Sequence, residues 1–323
     1  MPWRDDATPY HVWLSEIMLQ QTRIEAAKAY YDRFTKCLPD IPSLAAVSEE
    51  ELLKLWEGLG YYNRARNLKK AASLLVERYD GRLPADYDLL LSLPGIGRYT
   101  AGAIASIAYG LAEPAVDGNV LRVTMRYLNC DEDIMKMSVR TKMEKQLRAI
   151  MPKDCPGEFN QALMELGACV CVPNGAPKCD ACPLRTVCLA EKSGAWASLP
   201  VKEAKKPRRI EQRTVFVLQC GDRLAVERRP EHGLLAGLWE LPNTPGLLDE
   251  RQVGAYASGQ GLGDVRLRSA RDGRHIFTHI VWTMRCYTLE CSAMPPRYHW
   301  ATPDELREEI SLPTAFRQFV DAE

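Results

Sequence analysis

Apolar residues recur every three or four positions up to about residue 195 of this 323-residue chain, and from residue 213 onward they gather instead into strand-like runs. One backbone geometry cannot serve both patterns, so the chain divides into a helical body and a mixed one. "HVWLSEIMLQQ", "KKAASLLVERY" and "TAGAIASIAYG" carry the helical period. Ser48 with Glu51 reads as a capping box before "LLKLWEGLG", and Gly58 and Gly60 end that helix. Later, "RTVFVLQCGDRLAVERRP" reads as strand, Gly-Asp turn, strand. "RHIFTHIVWTMRCYTLEC" is rich in β-branched and aromatic residues, and "TPDELREEI" and "PTAFRQFV" close the chain as short helices. The expected bodies are residues 1–195 and 213–323. Residues 196–212 form a basic linker, and the run "VKEAKKPRRIEQR", Val201 to Arg213, sets six basic residues against two acidic ones. Such a run reads as a solvated linker or as a strap contacting phosphates.

Composition excludes little. Net charge is zero, so charge alone points to no nucleic acid. No apolar run approaches the ~20 residues of a membrane span, and no signal pattern opens the chain. A cytoplasmic protein without membrane contact is expected. In that compartment the eleven cysteines stay reduced, and a tight cluster reads as metal-binding. "CVPNGAPKCDACPLRTVC" is such a cluster: Cys171, Cys179, Cys182 and Cys188, separated by seven, two and five residues. Four thiolates suit zinc or an iron–sulfur centre equally on ligand softness.

Three further strings carry chemistry. In "LPGIGRYTAGAI" a tight turn at Gly95 and Gly97 precedes a helix whose free N–H groups face any anion. That is a hairpin able to grip a DNA phosphate, or a plain helix–turn–helix connection. Asp117 in "VDGNVLRV" stands at a helix start, where Asp is most often an N-cap. Glu16 lies on a largely apolar helix, where a carboxylate is costly unless paired or protonated, so a raised pKa is expected.

Taken together with "PWR", "WLSEIMLQQT", "LWEGLGYYNRARNL", "FNQALMELGA" and "GLWELPN", these strings resemble the MutY-type adenine DNA glycosylases over nearly the whole chain. The resemblance implies an all-α helix-hairpin-helix glycosylase domain with an iron–sulfur loop at about 169–190, followed by an α+β Nudix-like domain. It implies base excision repair: removal of adenine paired with 8-oxoguanine or guanine in double-stranded DNA, by a monomer that associates with the bacterial nucleoid when bound. The target base leaves the stack before reaction. One 4Fe–4S cluster is implied on Cys171, Cys179, Cys182 and Cys188. The family's first gap is six residues. Here it is seven, with Gly175 to absorb the extra one, and Cys169 stands two residues before the first ligand.

The family's catalytic positions map onto Glu16 as the acid, Asp117 as stabiliser or transient nucleophile at the sugar, and Tyr99 and Asn119 beside them. Trp3, Arg4, Leu19 and Ile24 map onto the adenine pocket. Gln21, Thr22 and Tyr61 map onto segments that probe the duplex, and Gly95 and Gly97 onto its phosphate hairpin. Lyase relatives of the endonuclease III type carry a lysine where this chain has Tyr99, so a monofunctional glycosylase leaving an abasic site is implied. Phe277, Thr278 and His279 stand at the family's Phe-Ser-His loop for 8-oxoguanine; Thr278 keeps the hydroxyl and adds a methyl. After "GLWELPN" the glutamate array of a working Nudix hydrolase is missing, so no nucleotide hydrolysis is expected. Family members usually carry a further helix before "PWR", so either the start is truncated or this lineage lacks that helix. Rival readings meet contrary residues. Tyr99 opposes a lyase for oxidised pyrimidines, paired acids oppose a purely DNA-binding iron–sulfur protein, and the missing array opposes a zinc-stabilised nucleotide hydrolase.

Overall fold

The computed structural model describes residues 1–203 and 207–320; Ala204 to Lys206, in the middle of the basic linker, lie outside the described residues. The chain divides into two compact units. One comprises Met1–Ala46 and Arg66–Lys205, the other Val47–Ala65 and Lys206–Glu323. Residues 47–65, which local pattern assigns to the helical body, thus make their contacts within the second unit.

The first unit is helical. Its central helix, Pro9–Leu19, is capped by Thr8 and buries every residue from Val12 to Met18. A helix buried all round has no polar face to turn outward, and this explains why its apolar residues are so dense. Gly118–Tyr127 packs its Val120, Leu121 and Met125 against Val139, Met143 and Leu147 of Met137–Ile150. Two helices widen into π-turns as they end: Arg98–Ala103 continues into Ile104–Ala108, and Pro156–Glu165 into Leu166–Val170. Single π-turns often mark functional sites. Buried Asn160 ties these segments together. Its amide donates to Ser106 Oγ at 2.8 Å and to the Glu113 carbonyl at 2.9 Å, and its Oδ1 accepts from Ala115 N at 3.0 Å.

The second unit is a seven-stranded mixed sheet. Its strands are β1 (Arg209–Cys220), β2 (Arg223–Arg228), β3 (Trp239–Glu240), β4 (Asn243–Pro245), β5 (Val265–Ile276), β6 (Ile280–Cys291) and β7 (His299–Ala301). The main path runs β3-β2-β1-β6-β5, with β4 on β1 and β7 on β2. β1 and β6 pair in parallel from Arg209↔Ile280 to Gln219↔Glu290. The expected hairpin is present: β1 and β2 pair antiparallel across Gly221-Asp222. Alternate residues of β1 feed two cores. Val215 and Val217 join Trp282, Met284 and Phe316 on one face, while Phe216 and Leu218 join Val253, Tyr287 and Leu289 on the other. With both faces covered, the strand reads as a continuous apolar run rather than an alternating one.

Candidate active site

Glu16 lies within one helix and Asp117 at the start of another far along the sequence, and the fold gathers the groups around them. Glu16 is buried on the central helix, and the Tyr99 hydroxyl donates to its Oε2 at 2.5 Å. Its pKa is pushed up to about 7. Burial is the largest cause; the Tyr99 hydrogen bond pulls it down, the nearby Asp117 charge pushes it up, and Arg4 pulls it down. Tyr99 also lies 3.7 Å from Met164 Sδ, and burial with the Glu16 and Asp117 charges raises the phenol well above its ordinary value.

Asp117 is the N-cap of Gly118–Tyr127. Its Oδ1 accepts from Asn119 N at 2.9 Å and Val120 N at 2.7 Å, and its Oδ2 accepts from Asn119 Nδ2 at 2.7 Å. Burial still raises its pKa, against those hydrogen bonds and the Arg122 charge. An N-cap role and a chemical role are therefore compatible: the cap aims the carboxyl while leaving it partly exposed.

Arg122 and Arg126, neither singled out by the motifs, build the support behind this pair. The Arg122 guanidinium donates to Asn119 Oδ1 at 2.9 Å, the Gly167 carbonyl at 2.7 Å and the Cys171 carbonyl at 2.7 Å. Arg126 donates to Cys171 Sγ at 3.3 Å, the Val172 carbonyl at 3.0 Å and the Leu199 carbonyl at 2.9 Å. Both arginines are buried. Two arginines one helical turn apart on an otherwise apolar helix were the available signal for them. Gly167 permits the approach: a Cβ there would meet Asn119 Cβ at 2.6 Å.

The other mapped residues fall into groups. Arg4 pairs with Glu165 and is felt by Glu16. Trp3 is buried, edge-on to Tyr31 at 5.3 Å, and this packing is its observed contact. Leu19 is half-buried at the end of the central helix, and Ile24 is exposed at the start of the next. Gln21 is exposed with φ 59°, and Thr22 is half-buried beside it. Gly95 has φ 78° and lies so close to Asn67 that a Cβ would meet Asn67 Cβ at 2.7 Å. Gly97 is the N-cap of Arg98–Ala103. In the second unit Tyr61 is exposed with φ 48°. Phe277, Thr278 and His279 form the turn between β5 and β6, closed by Phe277 N on the Ile280 carbonyl at 2.8 Å. The Phe277 ring packs on Trp282 at 4.9 Å, while Thr278 and His279 are exposed.

Cys171, Cys179, Cys182 and Cys188 line one small cavity of about 30 Å³ together with Arg126, Arg185 and Trp196. Cys169 is exposed and is not among the lining residues. Burial raises the Cys179 thiol, and Glu191 and the other three cysteines raise it further, so the four sulfurs share one electrostatic neighbourhood. Soft donors converging on one space, with an arginine N–H on one sulfur, fit a thiolate-bound centre. Among the described residues no group of three or more Cys, His, Asp or Glu is gathered as a site for one metal ion. No helix among them is long and apolar enough to cross a membrane.

Residues 14–149 match the HhH-GPD superfamily of base excision DNA repair proteins, and residues 214–322 match the NUDIX domain. Adenine DNA glycosylase of Mus musculus is 33% identical over 99% of this chain and 75% of its own length. Of solved structures, a thermostable thymine-DNA glycosylase aligns at 28% identity with TM-score 0.55, covering 60% of this chain and 88% of that one. A trapped endonuclease III–DNA covalent intermediate aligns at 29% identity with TM-score 0.51, covering 58% and 86%. A relative that follows this chain from end to end, through both a helix-hairpin-helix repair body and a Nudix-like one, leaves one assignment: the chain belongs to the adenine DNA glycosylase family, whose members are DNA-binding enzymes of base excision repair.

Proposed function

We propose that this enzyme removes adenine paired with 8-oxoguanine or, more slowly, guanine, by hydrolysing the N-glycosidic bond of an adenine flipped from the duplex. The observation that carries the reading is Glu16. A carboxyl raised to a pKa of about 7, buried and bonded to a phenol, keeps its proton in about half of the molecules at neutral pH, whereas an ordinary carboxyl is ionised, and so can deliver it. Glu16 protonates adenine N7. Asp117, aimed by three donors, faces the oxocarbenium ion that develops at the sugar as the bond breaks. Asn119 and Tyr99 hold the two carboxyls, and Trp3, Arg4, Leu19 and Ile24 receive the base. Tyr99 has no amine to form a Schiff base, so the product is an abasic site in an intact strand.

Gln21 and Tyr61 enter the duplex. Both hold left-handed backbone without being glycine, a strained state that clusters at functional sites. Thr22, Gly95 and Gly97 meet the backbone of the DNA, and the exposed Thr278 and His279, anchored by Phe277, read the lesion. Cys171, Cys179, Cys182 and Cys188 would hold one 4Fe–4S cluster, which when bound braces the loop and supplies a redox-capable centre. The enzyme acts as a monomer on nucleoid DNA in the cytoplasm.

The test is incubation with duplexes carrying adenine opposite 8-oxoguanine or guanine, followed by hot alkali. Strand breaks only after alkali, faster for 8-oxoguanine, are expected. Breaks without alkali, or trapping by borohydride, would overturn the monofunctional reading.

A further inference from the structure

We infer that Glu57 is a positioning residue for lesion reading: it latches the turn that carries Tyr61 onto the C-terminal helices, so that Tyr61 and Thr278 act as one reader. The inference rests on the proposed function and extends it to a residue to which the motif strings assign no role.

The segment begins with the Ser48–Glu51 capping box and the helix Glu49–Leu55, then runs through Trp56, Glu57, Gly58, Leu59 and Gly60 to Tyr61. Leu52, Leu53, Trp56, Leu59 and Tyr62 are buried. Tyr61 is 46% exposed and left-handed. An aromatic residue in that backbone region is costly and persists only where its surroundings over-determine it. Arg64 supplies part of the hold. Its Nη2 donates to the Leu59 carbonyl at 3.0 Å and the Gly60 carbonyl at 3.1 Å, and its guanidinium lies 5.6 Å from the Tyr61 ring centre. Trp56 Nε1 donates to the same Gly60 carbonyl at 3.1 Å.

The other part comes from residues about 250 positions later. One Glu57 oxygen accepts from Leu312 N at 2.8 Å and Arg317 Nη1 at 2.5 Å, while the other lies 2.8 Å from Lys54 Nζ. Lys54 in turn donates to the carbonyls of Leu306 at 3.0 Å and Ile310 at 2.9 Å. Ser311 Oγ donates to the Leu53 carbonyl at 3.1 Å, and Arg228 pairs with Glu50 at 3.1 Å. The Glu57 and Lys54 side chains are 12% and 15% exposed, so one largely desolvated carboxylate is shared by two cations, Lys54 and Arg317. At the far end of the segment, Thr278 Oγ1 donates to the Tyr61 hydroxyl at 3.2 Å. The segment is thus fastened to the sheet body at both ends: by Glu57 to the helices after β7, and by Tyr61 to the turn between β5 and β6. Loosening the Glu57 end lets Tyr61 drift from Thr278 without touching either.

The experiment uses the full-length holoenzyme in single turnover at saturating enzyme, on adenine opposite 8-oxoguanine and adenine opposite guanine. Glu57→Gln keeps shape but removes the charge that Lys54 and Arg317 share. The ratio of the two rates should fall by about fivefold, the size of effect a coupling position exerts. Tyr61→Leu should also lower the ratio, and adding Glu57→Gln to it should lower it no further, because Glu57 works through Tyr61. An unchanged ratio, equal losses on both duplexes, or independent losses in the double variant would overturn the inference. Ser311→Ala is the second variant should Glu57→Gln not fold; it removes one tie and should shift the ratio the same way, and no shift overturns the inference. A wild-type enzyme inactive on both duplexes would overturn the proposed function and this inference with it. A wild-type enzyme that discriminates, with variants that discriminate as well, would overturn this inference alone.

Discussion

Glu16, buried, and Asp117, half-buried, are both carboxyls with raised pKa values, yet their surroundings treat them oppositely. Glu16 lies on a helix buried on every side and meets one phenol. Asp117 caps a helix, accepts three hydrogen bonds and has Arg122 behind its amide partner. One environment favours the neutral acid, whereas the other supports charge. On the proposed function, the acid and anion roles are divided between two carboxyls by burial and by the number of donors together: Glu16 is the more buried and meets one phenol, while the half-buried Asp117 accepts three hydrogen bonds. The Asp117 charge also raises the cost of ionising Glu16, so on the proposed function the group with more donors, Asp117, is the one to carry the charge.

Breaking the pair should give the largest effects. Glu16→Gln keeps hydrogen bonding but cannot deliver a proton, and a general acid is typically worth ~10²–10⁴-fold, so a loss of that size is expected in single-turnover rate. Asp117→Asn removes the charge facing the oxocarbenium ion and should cost a comparable factor. DNA affinity should survive both, measured by equilibrium binding to an uncleaved duplex. A fully active Glu16→Gln that still binds DNA would show that another group is the acid.

The same contrast predicts a stability effect of opposite sign. Glu16 has a folded pKa of about 7, above its unfolded value of about 4.5. Between those values the folded chain binds more protons, so stability falls as pH rises through that window. Glu16→Gln removes the penalty. It should raise the unfolding free energy at pH 8 by on the order of 2–3 kcal/mol and change it little at pH 4. Thermal unfolding at the two pH values checks this; equal shifts at both would mean that Glu16 is not held neutral by burial.

A third prediction concerns the cysteine cluster, whose Cys171 the arginines behind Asp117 also touch. Cys179→Ser should lose the broad brown absorbance and the iron of the purified protein, while Cys169→Ser should keep them. One equivalent of zinc without iron would remove the iron–sulfur assignment.

Much of this site was legible because its signals are local. Glu16 on an apolar helix, Asp117 as an N-cap, the Ser48 capping box and the Gly221-Asp222 turn each follow from a few neighbouring residues. The unread parts depend on distant ones. The π-turn at Leu166–Val170 brings Gly167 against Asn119 only because helices far apart in sequence pack there. Arg122 joins Asn119 to the Cys171 carbonyl across 49 positions, and Glu57 meets Leu312 across 255. Neither contact has a periodicity to announce it. Left-handed Gln21 and Tyr61 were hidden for another reason: glycine marks such positions in a sequence, and these are not glycines.

The smallest expected effect probes the Tyr99 hydroxyl that donates to Glu16. Tyr99→Phe removes the hydroxyl that bonds Oε2 and leaves the ring in place. That hydrogen bond favours the ionised carboxylate and holds the Glu16 pKa down. Its loss should therefore raise the pKa, by roughly one unit or less if a hydrogen bond to a charged group is worth about 1.5 kcal/mol. The protonated acid then persists to higher pH. In a single-turnover pH–rate profile on adenine opposite 8-oxoguanine, the alkaline limb should move upward by that amount. Near pH 6, where Glu16 already holds its proton, the rate should change by less than about tenfold, since the acid remains and only its orientation relaxes. An alkaline limb that moved downward would mean that Tyr99 supports the protonated form instead. A loss at pH 6 as large as that of Glu16→Gln would place the phenol itself against the reacting atoms, and the separation of an isolated acid from a well-supported anion would then have to include Tyr99 as a third member.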